Sequence, residues 1–271
     1  MNIFSNKRLS QQLESTEARM NMEFILSRKK MFPESKAEWL NINGTYAMFD
    51  GEDSPLTQTF GLGLFNAITS SELEVIEKFY KRFSAPVYHE VSPMADSEHL
   101  GILSKHGYQP VEHTNILYKL LSRQTSPQNT INSKISTRKL LAGEEEVWSS
   151  LNTDGWSSEI PGLAELMKPL SQIFCHGNGM SPFFANINDT PISTGILYIH
   201  DHVALLAGDS TIQEGRNQGG QNALIDARLN YAAAQGASLA MLAASPGSQS
   251  QKNAEKNGFQ VAYTRTKWKL C

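Results

Sequence analysis

Cysteine is almost missing from this chain. Cys175 and Cys271 are the only two, too few for a disulfide framework or a thiolate metal cluster, and they fit a reducing compartment. Long hydrophobic runs are missing too. No stretch approaches the ~20 apolar residues that cross a bilayer. The first residues, Met1 to Ser5, lead into charged and amide side chains rather than a signal-peptide core. Neither sign of charge dominates, with 24 Lys and Arg against 27 Asp and Glu, so nothing in the bulk favours a nucleic-acid partner. The expectation is a cytoplasmic protein, monomeric or homodimeric, with no membrane partner and no metal. What is present is a globular composition, 40% hydrophobic and 19% charged over 271 residues. That is enough for one large domain or two ordinary ones.

Residues 7–31 place Leu9, Leu13, Ala18, Met22, Phe24, Ile25 and Leu26 near one broad stripe, which predicts a packing helix stopped by Pro33. Trp39 to Phe49 reads as a strand with a turn at Asn43-Gly44, and Thr57 to Leu64 as another. Ser70-Ser71-Glu72 caps a helix reaching about Phe83. Ala85 to Val91 is a strand, 97–105 a short helix, and Tyr108 to Leu121 a closing strand. Residues 122–134 are polar and almost free of large apolar groups, which marks a linker. The domains are therefore expected at 1–121 and 135–271.

The second half starts with a strand at Ile135 to Leu141 and a helix from Ala142 to about Leu151. A loop over Asn152 to Trp156 and a helix from Pro161 to Phe174 follow. Phe183 to Ile187, Ile192 to Ile199 and Val203 to Thr211 read as an antiparallel run. A long helix, a strand at Ser238 to Ala244, a short helix and a final strand from Phe259 to Leu270 complete it.

The two halves share an ending. Ser92-Pro93, a short helix, Lys105-His106-Gly107-Tyr108-Gln109 and Tyr118-Lys119-Leu120 recur as Ser245-Pro246, a short helix, Lys256-Asn257-Gly258-Phe259-Gln260 and Trp268-Lys269-Leu270. This order points to two copies of one fold. Between the strand at Val203 to Thr211 and the helix from Asn222, the run Glu214-Gly215-Arg216-Asn217-Gln218-Gly219-Gly220-Gln221 has no counterpart in the first copy. A strand feeding a glycine-rich turn that opens a helix is a ready anion site, because free backbone N–H groups and the positive helix end meet there. By spacing alone it could equally be a tight strand-to-helix turn.

With these motifs, the second half resembles the GNAT superfamily of acyl-CoA-dependent N-acyltransferases, and the first half resembles a degenerate copy of it. Arg216 to Gln221 is similar to the family's Arg/Gln-x-x-Gly-x-Gly/Ala turn, and Lys256-Asn257-Gly258-Phe259 to its Lys-x-Gly-Phe. The implied fold is α/β (α+β): two tandem domains, each a mixed, mostly antiparallel sheet flanked by helices. The implied reaction is transfer of an acetyl group from acetyl-CoA, or another acyl-CoA, to a primary amine of a small molecule or peptide by direct attack. Two departures stand out. Gln221 replaces the last Gly/Ala of the turn. Ala254 stands where many members carry the tyrosine that protonates the leaving thiolate. That vacancy motivates an alternative, a non-catalytic acyl-CoA-binding regulatory protein. A third reading is an acyltransferase with a carrier-protein or aminoacyl-tRNA donor.

The resemblance implies that Ser210, Thr211, Arg216, Asn217, Gln218, Gly219, Gly220 and Gln221 bind the cofactor, with Ser248 and Asn253 as candidates for its pantetheine arm. Asp209, Glu214 and Asn253 are the candidate catalytic groups. Trp156, Asp154 and His89 are candidates for the acceptor. His200 and His202 flank a hairpin turn and are expected to be merely exposed. Cys175-His176 is expected not to act as a nucleophile.

Overall fold

A computed structural model describes residues 4–122, 132–158 and 162–271. Most of the expected linker and the start of the helix expected at Pro161 lie outside the described residues. The chain forms two compact units. The first is Met1–Ile116 with Ala243–Pro246 and Val261–Cys271, and the second is Leu117–Leu242 with Gly247–Gln260.

In the first unit, helix α1 (Lys7–Met31) starts where Asn6 Oδ1 accepts from Leu9 N and ends before Pro33. It buries Leu9, Leu13, Ala18, Met22, Phe24 and Ile25. Strands β1 (Glu38–Ile42) and β2 (Thr45–Phe49) form a hairpin with Ile42 opposite Thr45. Its two turn residues, Asn43 and Gly44, have φ of 50° and 91°, the mirror-image turn that Asn-Gly favours. The strand expected to reach Leu64 stops early: β3 is Gln58–Phe60. The chain leaves the sheet at Gly61, whose φ is 80° and whose bare backbone lies against the Gly44 carbonyl. Helix α2 (Ser70–Lys81), strand β4 (Tyr88–Val91), helix α3 (Glu98–Lys105) and strand β5 (Tyr108–Leu120) follow, the first unit holding β5 up to Ile116. The core gathers Phe49, Leu62, Leu64, Leu73, Ile76, Phe79 and Tyr80.

In the second unit, strand β6 (Ile135–Lys139) leads to helices α4 (Glu145–Ser157) and α5 (Ala164–His176), the latter running through Pro169 without a break. Strands β7 (Met180–Ile187), β8 (Thr190–His200) and β9 (Val203–Thr211) form the antiparallel run. Their turns are narrower than expected: Asn188-Asp189 and Asp201-His202, all with positive φ. Helix α6 (Gly220–Ala234), strand β10 (Leu239–Ala244) and helix α7 (Gln249–Lys256) come next. The strands run in the order β10-β9-β8-β7-β6, with Trp148, Phe184 and Ile196 at the core.

The units do not follow the expected cut at 122–134. The last strand, β11 (Gln260–Leu270), pairs antiparallel with β4 of the first unit, with Thr266 opposite Val91 and Trp268 opposite His89. Leu117 and the residues after it belong to the second unit, where Leu121 N donates to Ser238 O and Lys119 Nζ to Asn257 O. Arg265 on β11 anchors the pairing with β4. Its buried guanidinium meets Glu17 twice, at 2.6 and 2.9 Å, Glu14 at 3.3 Å and Glu90 at 2.9 Å. Those carboxylates sit on α1 and β4. Placed anywhere else, they would be buried without a counter-charge. Glu14 also accepts from Tyr263 Oη. Burial raises its carboxyl to about 7 against the pull of Arg265.

In the fold, burial holds the Glu14 carboxyl at about 7, above its ordinary value of 4.5. Between those values the folded chain holds the extra proton, so stability falls as pH rises through that window. Denaturant titrations at pH 5 and pH 8 should differ by on the order of 1–3 kcal/mol on this account. Glu14→Gln should flatten that slope, and an equally steep slope in the variant would disprove the assignment. A fragment of residues 135–271 would carry β11 without β4 and lose the end of β5. It should show no cooperative unfolding by circular dichroism, and a cooperative fragment would show that the second half closes its own sheet.

Candidate active site

β9 and β10 begin as a parallel pair, with Leu239 opposite Val203, Ala240 opposite Ala204 and Met241 opposite Leu205. No further pairing between them occurs among the described residues, yet β9 continues to Thr211. From Leu206 onward β9 therefore offers an edge of backbone polar groups without a ladder partner on that side. A bulge aims this edge. On β8, Ile196 faces Ala207 and Thr194 faces Ser210, so Gly195 stands opposite both Gly208 and Asp209. Gly208 has a φ of 64°. Two residues against one bend and twist the strand.

Arg228 of α6 fills the inside of the bulge and is fully buried. Nη1 donates to Ile196 O at 3.0 Å and Ala207 O at 3.4 Å, Nε donates to Leu224 O, and Nη2 lies 2.6 Å from Asp209 Oδ1. A Cβ on Gly195 would lie 2.6 Å from that carboxylate oxygen and 2.7 Å from Nη1, which is why a glycine stands there. Burial raises the Asp209 carboxyl and Arg228 pulls it back, leaving it above the ordinary range. Its side chain keeps 29% exposure, while Oδ1, the oxygen that meets Arg228, is sealed.

Asn152 of α4 holds the bulge from the other side. Its Nδ2 donates to Thr194 Oγ1 and Gly208 O, and its Oδ1 accepts from Ser171 Oγ. Ser210 Oγ donates to Asn152 O at 2.8 Å. The helix presses so close that any Cβ on Gly155 would run into Ser210 Oγ. Asp154-Gly155-Trp156, expected in a loop, thus belongs to the last turns of α4. Tertiary contact with β9 overrides the low helix propensity of glycine.

Beyond Thr211 a single turn of 3₁₀ helix (Gln213–Gly215) leads to Asn217, with φ 59°, and Gly219, with φ 94°. Helix α6 then opens at Gly220 with no side-chain cap and no acid in its first turn. Its first N–H groups have no intrahelical partner and carry the positive end of the helix dipole. The helix after β3 in the first unit is the opposite case. Thr69 and Glu72 form a capping box there, with the Glu72 carboxylate on Thr69 N and Oγ1 at 2.8 Å. That anion position is filled by the chain itself.

The residues expected at the cofactor turn do come together, but several side chains face inward. Gln221 Nε2 donates to Ser210 O at 2.8 Å and Thr211 Oγ1 at 2.9 Å. Arg216 reaches Ser158 Oγ. Gln218 O accepts from Asn132, and the Asn217 and Gln218 side chains are exposed. Glu214 is exposed on the 3₁₀ turn. Ser248 Oγ caps α7, accepting from Gln251 N, and Asn253 Oδ1 accepts from Gln249. Asn257 Nδ2 joins α7 to the first turn of α6 through Asn222 Oδ1, while Ala254 is fully buried.

His89 needs correction as an acceptor residue. It is fully buried in the first unit, bonded through Nδ1 to Thr59 Oγ1 and lying against Tyr108. Burial lowers its pKa to about 3. Strand alternation puts His89 and Glu90 on opposite faces of β4, and both faces are covered. His202 sits in the hairpin turn at the far end of β9, with Nδ1 3.0 Å from Gly236 O. Burial pushes the Cys175 thiol up to about 12, so it stays protonated. Asn152 and Arg228 escaped the sequence reading. One signal for Arg228 was present: an arginine inside the apolar stripe Leu224, Ile225, Leu229, Ala232.

Among the described residues no group of three His, Cys, Asp or Glu could hold a metal ion, and no helix is long and apolar enough to cross a membrane. A family model described as parvovirus non-structural protein NS1 matches residues 78–133. That is well under half of the chain and does not assign it to that family. No curated protein matches the sequence. Among solved structures, a GCN5-related N-acetyltransferase from Kribbella flavida is similar at 17% identity, covering 93% of this chain and 95% of its own, with a TM-score of 0.61. A tandem GNAT protein from the clavulanic acid biosynthesis pathway is similar at 11% identity over 98% and 96%, with a TM-score of 0.59. A GCN5-related N-acetyltransferase from Sphaerobacter thermophilus reaches 13% identity over 86% and 75%, with a TM-score of 0.56. The chain has the tandem GNAT fold.

Arg228→Met should remove the counter-charge of Asp209 and leave Ile196 O and Ala207 O unbonded. A loss of about 3–5 kcal/mol in denaturant unfolding is expected. A loss below about 1 kcal/mol would show that the bulge stands without the guanidinium.

Proposed function

We propose that the protein is an acyl-CoA-dependent N-acyltransferase, most simply an N-acetyltransferase acting on a primary amine, with its donor site in the second unit. The observation that carries this reading is the edge of β9 without a strand partner, followed through one 3₁₀ turn by a glycine-opened helix N-terminus with no side-chain cap. An extended arm can hydrogen-bond along Leu206 to Thr211 as an added strand. A pyrophosphate can sit on the N–H groups of Asn217 to Asn222, where the helix dipole favours it. Gly219 and Gly220 keep side chains away from that path. The donor supplies an activated acyl thioester. Backbone N–H groups beside the bulge polarise the acyl carbonyl and stabilise the oxyanion. The amine nitrogen bonds to the carbonyl carbon, the carbon–sulfur bond breaks, and CoA leaves as its thiol or thiolate. Asp209, fixed by Arg228 and held above the ordinary carboxylate range, is our candidate to take the ammonium proton. Glu214 and Asn253 are further from support: one is exposed on a turn and the other is engaged on α7.

One observation favours a non-catalytic acyl-CoA-binding role. Ala254 is sealed in the core and offers no proton to the leaving thiolate.

Calorimetric titration with acetyl-CoA and CoA tests the donor site, and CoA release with a panel of amines tests catalysis. Binding is expected. Gly219→Val, forced to a φ near 94°, should weaken it at least about tenfold by displacing the N–H cradle. Binding without turnover would favour the regulatory role. No binding at millimolar donor would sink both readings.

A further inference from the structure

Arg216 opens the glycine turn, yet its guanidinium is directed at the C-terminal end of α4. Nη2 donates to Ser158 Oγ at 2.6 Å and reaches Gly155 O at 3.5 Å. Ser158 Oγ in turn donates to Gly155 O at 2.7 Å. Gly155 O is one of the last carbonyls of the helix, and a cation there is favoured by the dipole. In the same turn, the indole Nε1 of Trp156 is withdrawn from solvent and has no hydrogen-bond acceptor among the described residues. A buried N–H without a partner is costly unless a ligand supplies one.

We propose that Arg216 is a positioning residue for the acceptor rather than a grip on the donor's phosphates. It ties the last turn of α4 to the glycine turn, and so holds the Trp156 N–H to donate to an oxygen carried beside the reacting amine. The acceptor class is then an amine with a neighbouring hydroxyl, amide or carboxylate oxygen, not a plain alkyl amine. This inference rests on the acyl-CoA reading above.

The test uses the full chain, acetyl-CoA and an amine pair in which a hydroxyl replaces a methyl, ethanolamine against propylamine. Arg216→Ala and Ser158→Ala should each raise the KM of the oxygen-bearing amine about tenfold, with the acetyl-CoA Kd from calorimetry changing less than about threefold. Arg216→Lys should recover part of that loss. Trp156→Phe keeps the ring and should cost about tenfold in kcat/KM for the oxygen-bearing member only. A tenfold weaker acetyl-CoA Kd in Arg216→Ala with acceptor KM unchanged would overturn the proposal. So would an equal effect of Trp156→Phe on both members of a pair, or donor binding with turnover of neither. Failure of wild type to bind acetyl-CoA would instead remove the acyl-CoA reading itself.

Discussion

The second unit depends on one buried cation. Arg228 occupies the inside of the β9 bulge, bonding two strand carbonyls and pairing with Asp209. A guanidinium without water survives only where its charge and donors are met, and here the bulge meets them. The dependence runs both ways. The bulge leaves carbonyls that a regular ladder would have paired, and the arginine satisfies them. Gly195, Gly208 and Asn152 follow as consequences, two by leaving space and one by bonding the outside of the same bend. The free edge of β9 is the outcome of this arrangement, and it leads into the open end of α6.

The first unit is built around a second buried arginine with the opposite effect. Arg265 gathers Glu14, Glu17 and Glu90 and anchors the last strand beside β4. That cluster neutralises charge inside the unit. The helix after β3 is capped by its own Glu72, where the helix after β9 has no side-chain cap among the described residues. The two copies therefore share an architecture and differ in whether this helix end carries a side-chain cap.

The sequence was a good guide wherever local chemistry decides. Asn43-Gly44 announced a hairpin, Pro33 a helix end, and alternation the antiparallel run of the second half. The turn from Arg216 to Gln221 stood out because two glycines meet at a strand-to-helix junction, although spacing alone left a plain tight turn equally open. The loop assigned to Asp154-Gly155-Trp156 failed because the glycine there answers to Ser210 across the packing interface, not to a turn. His89 was placed on the correct strand, but its burial depends on elements far away in sequence.

What the sequence determined by itself is the pair of copies, their order of elements and the one copy with an open glycine turn. These follow from periodicity, turn chemistry and the repeat, all short-range properties. Tertiary structure alone decided which strand closes which sheet, which side each turn residue faces and which charges are buried together. Arg265 and Glu14 are 251 residues apart. No local rule links them, and only the cost of an unpaired buried charge brings them into one place.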